Sequence, residues 1–523
     1  MSMLEGQGYA AQKYAQCEAD RDTFLQRARD AAELTIPHLM PPDGHTGSTI
    51  YKTPFQGVGA RGVNNLASKL LLTLLPPNSP FFRLMIDDFD LAEIGAGDAR
   101  GKVEEALGRI ERAALQEIEA TAIRVPVFEA LKQLIVSGNS LVYLPKKGGM
   151  KVFRLDRYVV KRDAMGNLLE VVTKESISPK MLPEEAQMML KAEGSDEPIN
   201  KSLDLFTCVK LVNNKWEVHQ EAAGMEIPGS RGTYPKDKNP FIPLRFSRID
   251  GEDYGRGFVE DYIGDLKSLE GLTQAIVEGS AAAAKVLFLV RPNGTTKART
   301  LAESANGSIV NGDANDVSTL QVQKSGDFQV ALATAQNITE RLSFAFLLNS
   351  SVQRQAERVT AEEVRFMAQE LETALGGVYS ILSQEFQQPL IKILLSRLES
   401  NGKMPKMPKD TVKPTVVTGL EALGRGQDLN KLATFLQYLQ PLGAELIQSE
   451  MNVGDYIDRL GASLGIDTNG LIKSDEQKAQ ESQAMVEDQQ AASMMQTAQD
   501  MATKATPEMI KQMAAQQQES QQG

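Results

Sequence analysis

The 523-residue sequence predicts an α+β fold that is mainly helical. Apolar residues recur every three or four positions within residues 11–135 and again after residue 258, which indicates amphipathic helices. Between them, residues 140–250 hold short β-branched runs separated by turn residues, a pattern typical of a small antiparallel β unit. Because 42% of the residues are hydrophobic and 24% are charged, the chain has the composition of a folded protein rather than a collagen-like or disordered one.

The charge balance limits the classes of function. Acidic residues number 68 and basic residues 56, so the net charge is −12, which argues against tight DNA attachment over the whole surface. Cys17 and Cys208 are too few for a disulfide framework or a structural zinc site, and they fit a reducing compartment. No apolar stretch is long enough to span a bilayer, so we expect no membrane contact.

The first 135 residues predict helices over residues 11–34, 62–75 and 99–122. Proline ends the first two, at Ile36-Pro37 and Pro76-Pro77, because it cannot continue the helical hydrogen-bond ladder. The third helix carries charged residues that we expect to form a solvated face: Glu104, Arg109, Glu111, Arg112, Glu117 and Glu119.

The β unit is predicted from short runs with turns between them. Met165-Gly166-Asn167 and Asn213-Asn214 stand where hairpin turns should occur, and the acidic segment Pro183–Pro198 is expected to be a surface helix or loop. The strand candidates are residues 141–144, 151–155, 158–161, 168–173, 205–212 and 215–219.

The second half predicts a helical hairpin with a β-rich tip. Phe258–Lys285 reads as one long helix, Arg291–Asp327 as turns and short strands, and Gln329–Leu348 as a returning helix. After the polar residues 349–359, Thr360 and Glu363 form a capping box. The helix that starts there keeps an apolar face down to Pro389, with a bend expected at Gly376-Gly377.

Several strings match chemical motifs, but their contexts do not fit. Gly57–Gly62 matches a dinucleotide fingerprint with no buried strand before it, so we expect a flexible loop leading into the next helix. Asp250–Gly255 resembles a calcium loop with Tyr254 at a ligand position, so we expect a turn. Gly461–Gly465 matches a nucleophile elbow, but no histidine follows it. His38, His45 and His219 are expected to be solvated. We therefore expect no catalytic residue, no cofactor and no metal.

Four segments carry a family resemblance. They are Arg29–Leu39; Gly62–Leu70 followed by Pro76-Pro77 and Pro80–Leu84; Asp250–Gly257 running into Gly264–Glu270; and Ala356–Arg365 with Leu375–Ser380. Together, in this order and over about Arg21 to Lys478, they resemble the portal proteins, or head-to-tail connectors, of T7-like short-tailed bacteriophages.

The resemblance implies a homo-oligomeric ring, usually of twelve copies, at one vertex of the capsid. Double-stranded DNA would pass through its centre during packaging, retention and ejection. The protein would act in the virion after assembly in the host cytoplasm. The implied partners are the terminase large subunit, a tail adaptor protein, the major capsid protein, scaffolding protein and internal core proteins.

The resemblance also implies a division of the chain. The portal fold would comprise a wing with the β unit (1–250), a first stem helix (251–285), a β-containing clip (286–327) and a second stem helix (328–348). A tunnel loop (349–359), a bent wing helix (360–415), a helical crown (416–470) and a Gln-, Ala- and Met-rich tail (471–523) would follow.

The candidate site residues come from this division. Lys324, Gln353, Arg354 and Arg358 are the candidates for the DNA-channel surface, and Thr360 and Glu363 for a structural capping box. For each channel candidate, an ion pair or hydrogen bond to a neighbouring subunit is an equally open reading. The alternative function is a capsid-interior scaffolding protein or another noncatalytic helical assembly protein. A scaffold would dissociate and form no channel.

Overall fold

The computed structural model describes most of the first 404 residues and short parts of the remainder. The described residues are 8–77, 81–86, 98–192, 202–283, 287–320, 325–348, 371, 373, 375, 377–404, 412–416, 433–442, 454, 456–457, 460 and 492–495. Two compact units divide the chain, Met1–Gly424 and Arg425–Gly523. In the second unit, residues 433–439 and 492–495 are helical, and Gln440–Leu442 is a 3-10 turn.

Among the described residues, four helices precede the β unit, and they confirm the predicted helical N-terminal region. They are α1 (Tyr9–Glu33), α2 (Val58–Leu74), α3 (Asp98–Ala120) and α4 (Arg124–Ser137). The expected solvated face of the third helix is wrong in part, because Glu111 and Glu117 are buried. Glu111 accepts a hydrogen bond from the Leu84 amide at 2.9 Å, and Glu117 pairs with Lys403 at 2.8 Å.

Helix α2 begins earlier than its sequence pattern predicts. Val58 already lies in the helix, so the expected flexible loop over Gly57–Gly62 is wrong. A Cβ atom on Gly59 would lie 2.5 Å from the Leu34 carbonyl oxygen, and one on Gly62 would lie 2.5 Å from a ring carbon of Phe346. These glycines therefore allow close packing against two neighbouring segments.

The β unit confirms the six strand candidates and adds further strands. β2 (Asn139–Tyr143) lies between β3 (Lys151–Phe153) and β10 (Phe241–Arg245) in a three-stranded sheet. The larger sheet has the order β4-β5-β6-β7-β8, with β9 also paired to β7, and every pairing is antiparallel. Its strands are β4 (Tyr158–Arg162), β5 (Leu168–Ile177), β6 (Leu203–Val212), β7 (Lys215–Ala222), β8 (Met225–Glu226) and β9 (Gly232–Pro235).

Local turn chemistry explains the hairpins of this unit. Asn213 and Asn214 both have positive φ, as a two-residue hairpin turn requires, and Gly166 has a φ of 81°. The acidic insertion contains α5 (Glu184–Ala192). Helix α1 packs Tyr14 and Cys17 against Cys208 and its neighbours on the larger sheet. Both cysteines are free thiols.

The long helix predicted over Phe258–Lys285 is interrupted. α6 (Phe258–Asp261) ends at Tyr262, whose φ of −111° and ψ of 11° leave the helical region, and α7 (Ile263–Ala283) follows. The Tyr262 amide bonds to the Val259 carbonyl at 3.1 Å, a tighter turn than an α-helix makes. Gly257, just before α6, holds this turn against α4, because a Cβ there would lie 2.6 Å from the Val136 carbonyl oxygen.

The tip of the hairpin confirms the predicted turns and short strands. β11 (Leu287–Val290) pairs antiparallel with β12 (Val317–Leu320), and the short helix α8 (Ala298–Glu303) lies between them. The returning helix α9 (Ser325–Ala345) begins four residues before the predicted Gln329.

The next helical region runs through Pro389. Gly377 lies in a turn before α10 (Val378–Leu382), as the expected bend requires. A π-helical turn over Ser383–Gln387 then leads into α11 (Gln388–Ser400). Pro389 does not end this helical region, because it stands in the first turn of α11, directly after the π-helical turn.

One strand pair joins distant parts of the chain. β1 (Phe82–Ile86) pairs antiparallel with β13 (Val412–Val416). The main hydrophobic core of the first unit extends from α1 and α2 through α4, β2 and β10 to the end of α9 and to α11. Within the described residues, no helix has the length and hydropathy needed to cross a membrane.

We predict that Gly62→Ala destabilises the first unit by about 1–3 kcal/mol, because the added methyl group would overlap the buried Phe346 ring. The matched control is Gly264→Ala, where no heavy atom lies within 4 Å of the added Cβ and where alanine favours the helix. Urea unfolding followed by circular dichroism gives both midpoints. Equal midpoints for the two variants would contradict the close-packing role of Gly62.

Candidate functional site at the base of the helical hairpin

The channel candidates lie outside the described residues. This holds for Lys324, Gln353, Arg354 and Arg358, and also for the capping-box residues Thr360 and Glu363. The structure does describe both flanks of the segment that contains most of them. Residues 346–348 precede it, and residue 371 and the chain from 377 onward follow it.

Two side chains of α2 hold the upstream flank. The Asn65 amide nitrogen donates to the carbonyl oxygens of Phe346 and Leu347, both at 3.0 Å. The Lys69 ammonium group donates to the Leu347 carbonyl at 3.1 Å. Lys69 is only 6% exposed, so this bond forms in a largely water-free setting.

These bonds satisfy the end of α9. The last carbonyl groups of a helix have no partner within the helix, and a buried carbonyl left without a donor costs about 1–3 kcal/mol. Leu347 leaves the helix with a φ of 54°, a left-handed conformation that is uncommon for leucine. Asn65 and Lys69 thus stabilise a strained helix end immediately before residue 349.

An aromatic cluster also packs around the end of α9. The Phe346 ring is fully buried and meets the Phe258 ring edge-on, with centroids 5.5 Å apart. Tyr262, at the break between α6 and α7, lies 6.0 Å from Phe346. Burial raises the pKa of Tyr262, and the carboxylates of Asp261 and Asp265 raise it further. Tyr262 therefore stays neutral and packs as an aromatic ring.

The downstream flank is bound to the C-terminal end of α2. The Tyr379 hydroxyl donates to the Thr73 carbonyl at 3.2 Å, and the Gln387 amide nitrogen donates to the Leu74 carbonyl at 2.7 Å. Both carbonyls belong to the last turn of α2, and Gln387 is fully buried. The helix region after the loop therefore caps α2, while α2 itself caps α9.

The π-helical turn directs a carboxylate into the β unit. Glu385 accepts hydrogen bonds from the Arg245 amide and the Arg245 Nε, each at 3.1 Å, and forms a salt bridge with the same guanidinium group. Burial and the neighbouring Arg245 lower the pKa of Arg162 to about 10, while the Glu385 carboxylate opposes that shift. The extra residue of a π turn changes which side chains face inward. Here the Glu385–Arg245 contact connects the downstream flank to β10.

Helix α7, the first helix of the hairpin, binds the backbone just before α2. Glu270 of α7 accepts hydrogen bonds from the amides of Phe55 and Gln56, at 2.9 Å and 3.1 Å. The two hairpin helices are themselves joined by an ion pair between Arg341 and Asp265 at 2.7 Å. We call the set Asn65, Lys69, Glu270, Tyr379 and Gln387 the loop frame.

The hairpin exposes apolar side chains along its length. Leu266 and Leu342 are fully buried at the base, but Val277, Val330 and Phe344 are 50%, 68% and 64% exposed. A groove of about 470 Å³ lies along α9, lined by Thr334, Asn337, Ile338, Glu340, Arg341 and Phe344. Exposed apolar surface of this kind marks an interaction site.

The described residues contain no cluster of three or more His, Cys, Asp or Glu side chains that could hold a metal ion. The segment resembling a calcium loop forms the expected turn, and its acidic side chain Asp253 bonds instead to Lys161 and to the Arg162 amide. His219 is not solvated as expected, since its Nε2 lies 3.1 Å from the Glu221 carboxylate.

The sequence reasoning missed the loop frame itself. Asn65 and Lys69 lie on α2 without any motif of their own, and Glu270 looks like an ordinary surface charge. A signal was nevertheless present, because Asn65, Lys69, Glu270 and Tyr379 all lie in the segments that carry the family resemblance. Three segments far apart in the chain supply residues that meet around α2.

Comparison with known proteins adds a separate line of support. The family of bacteriophage head to tail connecting proteins matches residues 7–472. The portal protein of Escherichia phage T7 is 45% identical over 505 residues, which cover 94% of each chain. The portal protein of Enterobacteria phage T3 is 45% identical over 480 residues, 90% of each chain, and that of Enterobacteria phage SP6 is 33% identical over 503 residues, 94% of each chain.

We predict that Asn65→Ala raises amide hydrogen exchange in residues 340–348, because the Phe346 and Leu347 carbonyls both lose the bond from Asn65 and only Leu347 keeps the bond from Lys69. The matched control is Asn64→Ala, since the exposed Asn64 side chain bonds only to the Ala60 carbonyl of its own helix. Exchange followed by mass spectrometry should show faster exchange in this peptide for Asn65→Ala alone. Identical exchange in the two variants would contradict the anchoring role of Asn65.

Proposed function

Since the chain belongs to the bacteriophage head to tail connecting protein family, we propose that it forms the portal ring through which double-stranded DNA enters and leaves the capsid. The loop frame is the observation that carries this proposal. It holds residues 346–348 and the helix from Val378 onward on one helix, α2, while residues 349–370 run between these two fixed ends. A segment held in this way can contact a moving duplex without loosening the wall behind it.

The exposed face of the hairpin supplies the ring contact. Val277, Val330, Leu332 and Phe344 would pack against the next subunit, and a head-to-tail contact of this type closes into a ring. Twelve copies is the number we propose. Residues 251–285 and 328–348 would form the stem, and residues 286–327 the clip.

The channel surface must bind DNA weakly. A protein that makes 6–10 phosphate contacts loses roughly 10³ to 10⁵ in affinity between low and moderate salt, which describes firm attachment. The acidic chain disfavours such attachment, and a few basic groups repeated around the ring give transient contact. Lys324, Gln353, Arg354 and Arg358 are the proposed contacts, and Thr360 with Glu363 would start the helix behind the loop.

We assign the other proteins of a capsid vertex to the remaining parts of the chain as binding partners. In this proposal the clip meets the terminase large subunit during packaging and the tail adaptor protein afterwards. The wing (1–250), the bent wing helix (360–415) and the crown (416–470) meet the major capsid protein, scaffolding protein and internal core proteins. The ring is assembled in the host cytoplasm and stays in the virion. The terminase supplies the ATP hydrolysis, and this chain performs no catalysis.

The ring contact is tested by Phe344→Glu, which places a charge on an exposed apolar position of α9. We expect rings to be lost while the monomer keeps its circular dichroism spectrum, because the side chain is mostly solvent-exposed within one chain. Gln336→Glu adds the same charge on the same helix and should still form rings. Native mass spectrometry gives the copy number. Rings at the wild-type level in Phe344→Glu would contradict the proposed interface.

The channel role is tested by the double variant Arg354→Ala/Arg358→Ala. We expect rings of unchanged copy number that retain packaged DNA at least about threefold less well, because two phosphate contacts are lost in every subunit. Lys52→Ala/Lys180→Ala removes two exposed charges elsewhere and is the control. DNA protected from nuclease after packaging by terminase and ATP is the readout. Failure of the Arg variant to form rings would instead assign these residues to subunit contacts.

A further inference from the structure

Two neighbouring loops of the β unit carry lysines that have no acidic partner among the residues the structure describes. The β2–β3 loop holds Lys146 and Lys147, and the β9–β10 loop holds Lys236 and Lys238. Lys146, Lys147 and Lys236 are exposed, and Lys238 is partly exposed. We call these four residues the lysine patch.

Backbone contacts place the two loops side by side. The Leu144 amide donates to the Pro240 carbonyl at 3.0 Å, and the Lys146 ammonium group lies 5.8 Å from the centre of the Tyr234 ring. The Trp216 indole donates to the Lys236 carbonyl at 2.9 Å, and the Lys238 amide closes a turn on Pro235 at 3.0 Å. Hydrogen bonds therefore hold the backbone of both loops that carry the lysine patch.

The positive charge of the patch is not neutralised by the described residues. Other lysines of this chain have carboxylate partners, such as Lys161 with Asp253 and Lys174 with Asp204. Within the described part of the chain, none of the four patch lysines has a carboxylate within salt-bridge distance. Asp237 is the one acidic residue in the two loops, so four lysines give a local charge of +3.

A buried arginine binds the backbone of the β2–β3 loop. Arg397 of α11 is 4% exposed, donates to the Gly148 carbonyl at 3.1 Å and also bonds to the Pro145 carbonyl. Burial lowers the pKa of Arg397, and the Glu117 carboxylate opposes that shift. Gly148 has a φ of 94°, so the turn after Lys147 favours glycine. The guanidinium group fixes the loop and adds to the positive potential behind it.

We infer that the lysine patch binds the phosphate backbone of double-stranded DNA, at a site separate in sequence from the loop at residues 349–359. This inference rests on the proposed portal function. Protein interfaces use exposed aromatic or apolar anchors, and neither loop has a large apolar side chain among the exposed ones. Charge without such anchors favours phosphates over an acidic protein surface. Repetition around a ring makes several weak sites act together on one duplex.

The test compares two triple variants of the full chain as assembled rings. Lys146→Gln/Lys147→Gln/Lys236→Gln removes the three exposed patch charges, and Lys52→Gln/Lys180→Gln/Lys297→Gln removes three exposed charges elsewhere. Binding of a short fluorescent duplex is measured by anisotropy over a range of salt concentrations. We expect the patch variant to bind at least about tenfold more weakly at low salt, with a salt slope shallower by about 3. The control should stay within about threefold of the wild type.

A polyglutamate peptide of matched charge distinguishes DNA from an acidic protein. Weaker binding of the peptide than of the duplex supports the inference, and tighter binding of the peptide overturns it. Equal loss of duplex binding in the two triple variants also overturns it, because the effect would then be one of net charge. Ring formation and packaging by the wild type are measured in parallel. If the wild type forms no ring, the portal proposal fails; if it packages DNA and the patch variant binds duplex normally, only the lysine-patch inference fails.

Discussion

The hydrogen bonds that α2 makes with the end of α9 and with the helix after residue 377 are the interactions on which the rest of the first unit depends. Helix ends leave carbonyl groups without partners, and burying such groups is costly unless a donor is close. Here the end of α9 receives its donors from Asn65 and Lys69, and the end of α2 receives them from Tyr379 and Gln387. Three helical segments far apart in sequence are thereby fixed to one another.

This arrangement holds the chain on both sides of residues 349–359 on one helix, α2. Lys69, Phe346 and Gln387 are buried, and the upstream and downstream flanks both bond to α2, so displacing either flank would break several contacts at once. Residues 349–359 are polar and have no apolar periodicity in the sequence. In the proposed portal, the fixed ends keep the stem and the wing in register while DNA passes this segment.

The sequence predicts most of the helices and strands, because their signals are local. Periodicity locates α1, α7 and α9, and Asn213-Asn214 marks a hairpin turn. It does not predict β1 with β13, because the two partners lie more than 300 residues apart and neither alone has a distinctive pattern. The sequence also does not predict the break at Tyr262 or the π turn before Pro389. These features depend on packing around Phe346 and on the contact with Arg245. Asn65 and Lys69 are polar residues on a helix, and only the three-dimensional contact with Leu347 gives them a role.

Cryo-electron microscopy of the assembled ring, with and without DNA in its channel, tests the central claim most directly. Residues 346–348 and 378–387 should keep the same positions relative to α2 in both states, with the Asn65, Lys69, Tyr379 and Gln387 hydrogen bonds intact. Differences should be confined to the segment between these flanks. Movement of either flank away from α2 when DNA is present, or a chain that builds no ring, would contradict the account.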